Sequence, residues 1–131
     1  MAAGPYVLIA DDEPHVIRVL KLALDRNGYE VETASNGEAA LERIRQRRPD
    51  LLISDIQMPR LSGEQLCERI AAELPDRDFP IVIMTSMIFV SESHWTRRHV
   101  NLVLLEKPLS VRKLLELVNR LLSTETVAER E

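Results

Sequence analysis

Asp11, Asp12, Asp55, Thr85 and Lys107 each stand at or just past the end of a short apolar run. Two unit charges about 4 Å apart repel by roughly 4 kcal/mol at an effective dielectric near ~20, so three carboxylates brought together require a cation. Lys107 supplies one positive charge and leaves the cluster negative and built of hard oxygen donors, a set that suits Mg²⁺. A carboxylate beside Mg²⁺, with an ammonium and a hydroxyl near its outer oxygen, is equipped to accept a phosphoryl group. Aspartate is a nucleophile toward phosphorus, and the cations offset charge on the transferred oxygens. Taken singly, Asp55 reads more simply as a cap on the turn that follows it; the other four residues are what favour the chemical reading.

Five apolar segments must carry these residues: Tyr6–Ala10, Glu30–Ala34, Leu51–Asp55, Pro80–Ser86 and Leu102–Leu105. Leu51–Ile53 leads straight into Ser54 and Asp55, and Met58-Pro59 makes the turn, as in a buried strand delivering an acid to its C-terminal end. Ile81–Met84 is unbroken apolar, as a central parallel strand covered on both faces requires. Glu30–Ala34 alternates and reads as a half-exposed or edge strand.

Helical patterns alternate with the strands. Pro14 predicts a helix start at about Glu13 and Asn27-Gly28 its end, with Val16, Ile17, Leu20 and Leu24 on one side. Ser35 or Asn36 caps a second helix through Ala39, Ala40, Leu41 and Ile44, which stops before Pro49. A third carries Leu66, Ile70 and Leu74 and ends at a polar connection over Pro75–Pro80. A polar, poorly formed helix with Trp95 follows over Ser91–Val100. Ser110 caps a strong last helix with Leu114, Leu115, Val118, Leu121 and Leu122. Five strands alternating with five helices predict an α/β fold, a doubly wound parallel sheet with right-handed crossovers. In such a sheet the strand ends share one edge, where the five residues can converge.

The chain has 131 residues, 45% hydrophobic and 29% charged, which suits one soluble domain with a real core. A formal charge of -4 gives no general attraction to nucleic acid, and no direct DNA contact is expected. Arg43, Arg45, Arg47 and Arg48 have acids beside them and read as a solvated helix face. The single cysteine, Cys67, reads as a buried or half-buried structural thiol. Neither it nor His15, His94 and His99 has metal-ligand spacing, so zinc is not expected. No segment has a signal-peptide layout or the length to span a bilayer, and a cytoplasmic protein is expected. No Walker-type loop or glycine-rich kinase loop is present, so the phosphodonor should be a phosphorylated partner rather than bound ATP.

Asp11-Asp12 after the first strand, Asp55-x-x-Met58-Pro59-x-x-x-Gly63, Thr85 closing the fourth and Lys107-Pro108 after the fifth stand in order at fitting spacings. In these motifs the chain resembles the receiver domains of two-component response regulators, over about residues 5–122. The resemblance implies the CheY-like, flavodoxin-like fold with strand order 2-1-3-4-5. It implies a receiver domain over residues 1–122 and a polar tail or linker over 123–131.

It also implies that Asp55 is the phosphoacceptor. Asp11, Asp12 and the backbone carbonyl of Gln57 would join it in holding Mg²⁺. Thr85 and Lys107 would pair with phosphoryl oxygens, and a cis bond would precede Pro108. A sensor histidine kinase or histidine phosphotransfer protein would be the donor. Phosphorylation would repack the face of the fourth helix, fifth strand and fifth helix for a downstream effector or output domain. The same face could join two copies in a homodimer.

The chain departs from the family pattern at Leu104, where an aromatic residue is usual, and at Val100-Asn101, where Gly-Ala is common. These changes leave the chemistry at Asp55 intact and put the usual aromatic readout in question. Met87-Ile88-Phe89-Val90 and Trp95 could form an adapted partner surface or fill the core. Met87 offers an attacking water no hydrogen bond, which implies a longer-lived phosphoryl group than Met87→Glu would give. Two other functions stay open. A Mg²⁺-dependent phosphohydrolase of the haloacid-dehalogenase type also uses a nucleophilic aspartate, but usually with a second aspartate where Gln57 stands. A degenerate receiver would act as an unphosphorylated binding module. The expected activity is a phosphorylation switch with slow self-dephosphorylation and no other turnover.

Overall fold

The computed structural model describes residues 4–85, 99–107 and 110–122. In chain order these form β1 (Tyr6–Ala10), α1 (Pro14–Arg26), β2 (Glu30–Ala34), α2 (Gly37–Gln46), β3 (Leu51–Asp55), α3 (Gly63–Glu73), β4 (Ile81–Thr85), β5 (Leu102–Glu106) and α4 (Val111–Leu122). The expected helix containing Trp95, the run Met87–Val90, Ser86, His94, the Pro108 peptide bond and the tail 123–131 lie outside the described residues.

All four strand pairings are parallel, and the order is β2-β1-β3-β4-β5. The three central strands are buried at every position, because helices cover both faces. Alternate residues of each therefore enter different cores. Leu8, Leu52, Ile81 and Ile83 pack with Leu41, Ile44, Leu66 and Ile70 of α2 and α3. Val7, Ile9, Ile53, Val82 and Met84 pack with Leu20, Leu24, Leu114 and Val118 of α1 and α4. The edge strand β2 is half-exposed as expected, though burial alternates only over Glu30–Glu32, with Val31 and Ala34 its buried positions, and β5 is half-buried along its apolar positions.

Local chemistry sets the helix ends. Pro14 begins α1, where its missing N–H costs nothing, and Gly28 at φ 89° turns the chain out of it. Asn36, the alternative to Ser35, caps α2 by accepting from Ala39 N at 2.8 Å. A capping box starts α3: Gln65 N donates to Ser62 Oγ at 3.1 Å and Ser62 N to Gln65 Oε1 at 3.0 Å. Ser110 Oγ accepts from Lys113 N at 3.3 Å at the start of α4.

The connection before β4 is less polar than its composition suggests, since Phe79 is 2% exposed within the core. Arg77 pins it, donating to the carbonyls of Phe79 and Val100. The arginines near α2 form a solvated face: Arg43 pairs with Glu32, Arg45 with Glu73 and Glu42, Arg47 with Glu30 and Arg48 with Asp76. Such exposed pairs contribute little stability each, about 0–1 kcal/mol. Cys67 is buried, and burial pushes its thiol up to about 12.

Candidate functional site

Register brings the strand ends together. Ala10 pairs with Ser54, Asp55 with Met84, and Thr85 with Glu106. Asp11, Asp55, Thr85 and Lys107 therefore emerge on one edge of the sheet, with Thr85 one residue and Lys107 two residues beyond the level of Asp55. Ile56 N donates to Met84 O at 3.0 Å and Lys107 N to Thr85 O at 2.7 Å, extending both ladders past the strands. These bonds fix the height at which Asp55 and Lys107 leave the sheet.

A cleft of about 650 Å³ opens at this edge, lined among the described residues by Asp12, Glu13, Asp55, Ile56, Gln57, Met58, Pro59 and Lys107. Asp11, beside this cleft but not among its lining residues, is fully buried at 0% exposure, and Asp55 is 7% exposed. One oxygen from each of Asp11, Asp12 and Asp55 can lie within 4.8 Å of the others. Lys107 Nζ reaches all but Asp12 of the neighbouring acids: 3.3 Å to Asp55 Oδ1, 3.8 Å to Asp11 Oδ2 and 3.7 Å to Glu13 Oε1.

Backbone donors orient the carboxylates. Asp55 Oδ1 accepts from Ile56 N at 2.9 Å, and Asp11 Oδ1 accepts from Glu13 N at 2.9 Å. Asp11 Oδ2 is buried and has no hydrogen-bond partner among the described residues. A buried carboxylate oxygen with no hydrogen bond and only the longer Lys107 ion pair, in a group gathered with two further carboxylates, suits a hard cation. The acidic cluster fits a metal ion, with Asp11, Asp12 and Asp55 as candidate ligands. Among the described residues, neither Cys67 nor a histidine belongs to such a cluster.

Burial sets the electrostatics. It lifts the Asp55 carboxyl above its ordinary range against the pull of Lys107 and the Ile56 N–H, with Asp12 adding to the rise. It lifts Asp11 likewise, with Asp55 adding to the rise while the Glu13 N–H and Lys107 oppose it. Burial alone would lower Lys107, but Asp55 and Asp11 outweigh it and the ammonium is held above its ordinary value. The site is thus an acidic cluster that its own lysine compensates only in part.

The β3–α3 connection shapes the wall. Gly63 N donates to Ile56 O at 2.8 Å, and a Cβ on Gly63 would lie 2.5 Å from Asp55 O. That is why glycine stands eight residues after the aspartate. Ser54 Oγ donates to the same carbonyl at 2.9 Å. Leu61 N bonds Pro59 O at 2.7 Å around Arg60, whose φ is 70°, so the loop turns sharply beside the cleft.

Of the expected residues, Asp11, Asp12, Asp55 and Lys107 converge, and Gln57 lines the same cleft. Thr85 is placed at the correct strand end but is 4% exposed and not among the described lining residues. Glu13 is the neighbour that motif reading passes over. Its place beside Asp12 was the available signal, and its contact with Lys107 comes from the fold.

A family model described as the response regulator receiver domain matches residues 7–119. The alkaline phosphatase synthesis transcriptional regulatory protein PhoP of Bacillus subtilis is 36% identical over 80 residues, 61% of this chain and 32% of the relative. The response regulator MprA of Mycobacterium ulcerans is 41% identical over 86 residues, 66% of this chain and 36% of its own length. The chain thus spans about a third of these curated relatives. Among solved structures, a putative response regulator from Chloroflexus aurantiacus is similar at TM-score 0.81 and 32% identity, covering 92% of this chain and 98% of that one. The chemotaxis protein CheY4 of Vibrio cholerae gives TM-score 0.83 at 28% identity, over 91% and 99% of the two chains.

Proposed function

This chain belongs to the response regulator receiver domain family, and on that premise we propose that Asp55 accepts a phosphoryl group from a partner's phosphohistidine. The observation that carries the proposal is the convergence of Lys107 and the carboxylates of Asp11 and Asp12 on Asp55 at the C-terminal edge of the sheet. Response regulators act with sensor kinases and output domains, so the donor is a sensor histidine kinase or a histidine phosphotransfer protein.

In the transfer, a carboxylate oxygen of Asp55 bonds to phosphorus while the nitrogen–phosphorus bond breaks and the imidazole leaves with the electron pair. Lys107, 3.3 Å from Asp55 Oδ1, is placed to pair with an oxygen of the arriving group. Asp11, Asp12, Asp55 and the Gln57 carbonyl would hold Mg²⁺, which when bound supplies positive charge to the phosphoryl oxygens. Thr85 would donate to another oxygen after moving toward the cleft. Because Lys107 N is bonded to Thr85 O, that movement is coupled to β5.

The repacked surface includes β5 and α4 and controls a partner or an output domain. We assign residues 1–122 to the receiver and 123–131 to a tail or linker, in the cytoplasm, with signalling rather than turnover as the activity. DNA binding of the kind carried out by transcriptional regulators would reside in an output segment of a longer protein. The test is intact mass after incubation with acetyl phosphate, with and without Mg²⁺, on wild type and Asp55→Ala. A single Mg²⁺-dependent phosphoryl addition confined to wild type is expected; equal addition to Asp55→Ala refutes the assignment.

A further inference from the structure

Glu13 is the N-cap residue of α1, yet its side chain makes no capping hydrogen bond. Its carboxylate stands 3.7 Å from Lys107 Nζ, and the residue lines the cleft beside Asp12 and Asp55. Its backbone N–H is committed to Asp11 Oδ1, and Pro14 restricts the chain beyond it. Helix capping therefore does not account for the direction of the carboxylate. The side chain is 62% exposed, while the Lys107 side chain it contacts is 19% exposed, so Glu13 sits on the solvent side of the ammonium. A small donor entering the cleft encounters that negative charge.

We propose that Glu13 is a specificity-determining residue for the phosphodonor, discriminating against small anionic donors. It shares the Lys107 ammonium that an incoming phosphoryl oxygen needs, and it adds negative charge at the cleft mouth. This rests on Asp55 being the phosphoacceptor. With acetyl phosphate, an Asp55 oxygen bonds to phosphorus, the bond from phosphorus to the acetyl oxygen breaks, and acetate leaves with the electron pair. The entering reagent is a dianion and meets like charge. A phosphoryl group carried on nitrogen by a protein that presents basic side chains to Glu13 escapes that penalty.

The test measures initial phosphorylation rates of the whole chain against donor concentration with Mg²⁺, using dianionic acetyl phosphate and the less charged phosphoramidate. Wild type, Glu13→Gln and Glu13→Asp are compared, with thermal unfolding to verify folding; the exposed position and absent capping bond make Glu13→Gln a fold-preserving change. Glu13→Gln should raise the rate at subsaturating acetyl phosphate roughly threefold to tenfold at low salt. The gain should be smaller with phosphoramidate and should shrink toward ~1 M salt, where the screening length falls to about 3 Å. The rate at saturating donor should change little, and Glu13→Asp should retain most of the discrimination. Equal rates for wild type and Glu13→Gln, or an equal gain with both donors at every salt concentration, overturn the proposal. No incorporation into wild type from either donor overturns the phosphoacceptor assignment and this inference with it.

Discussion

Replacing Gly63 with alanine tests how tightly the loop after Asp55 is built. The new Cβ would lie 2.5 Å from Asp55 O and 2.9 Å from Ile56 Cα, both backbone atoms. Comfortable carbon contacts begin near ~3.5 Å, so the helix or the loop must yield by roughly 0.5–1 Å. Neither moves freely: Ile56 N is bonded to Met84 O at 3.0 Å and Gly63 N to Ile56 O at 2.8 Å. Overpacking of this kind costs about 1–3 kcal/mol. Alanine recovers at most about 1 kcal/mol of helix propensity, and less at the first position of α3. The net expectation is a loss of about 1–2 kcal/mol, a fall in Tm of roughly 4–8 °C for a chain of this size. Urea and thermal unfolding read that loss, and phosphorylation of Asp55 from acetyl phosphate should slow in parallel because the carbonyl that moves is its own. Stability equal to or above wild type would mean that the close approach of α3 to Asp55 is misassigned.

Asp55→Asn should raise stability at neutral pH without Mg²⁺. The folded state holds the Asp55 and Asp11 protons more tightly than the unfolded chain does, so stability falls as pH rises through the interval from the unfolded to the folded carboxyl value. The amide removes the Asp55 share of that slope and leaves the share that burial of Asp11 contributes, while Lys107 keeps Asp11 and Glu13 as neighbours; denaturation curves across acidic to neutral pH test this, and an unchanged profile counts against it. Cys67, buried with its thiol pushed up to about 12, should resist alkylation at mildly alkaline pH until the protein is unfolded. Rapid alkylation of native protein, followed by mass, would contradict its placement. Phe79→Ala should cost about 3–5 kcal/mol by urea denaturation, since the ring is buried beside the sheet. A loss below about 1 kcal/mol would place the ring at the surface.

The central strands were legible because burial on both faces leaves an unbroken apolar run, and the first polar residue after each run marks the functional edge. Pro14, Gly28 and Asn36 signal helix ends through backbone chemistry that acts locally, so their roles could be read before the fold was known. Phe79 could not be placed that way, because one aromatic between Asp78 and Pro80 has no periodicity and its burial depends on how α3 returns to β4. The same holds for the pairing of Arg45 with Glu73 across two helices. At the site, residue types announced the acids and the lysine, whereas the contact of Glu13 with Lys107 and the withdrawal of Thr85 from the cleft lining are properties of the folded edge. The capping box of Ser62 and Gln65 was present as a Ser-x-x-Gln signature.

The most direct measurement is to phosphorylate the protein with acetyl phosphate and Mg²⁺, reduce the acyl phosphate with borohydride, and sequence the peptides by mass spectrometry. Phosphorylation of Asp55 predicts homoserine at position 55 and at no other acid, with none formed when Mg²⁺ is withheld. Homoserine at Asp11 or Asp12, or an unmodified Asp55 in protein that carries a phosphoryl group, would contradict it.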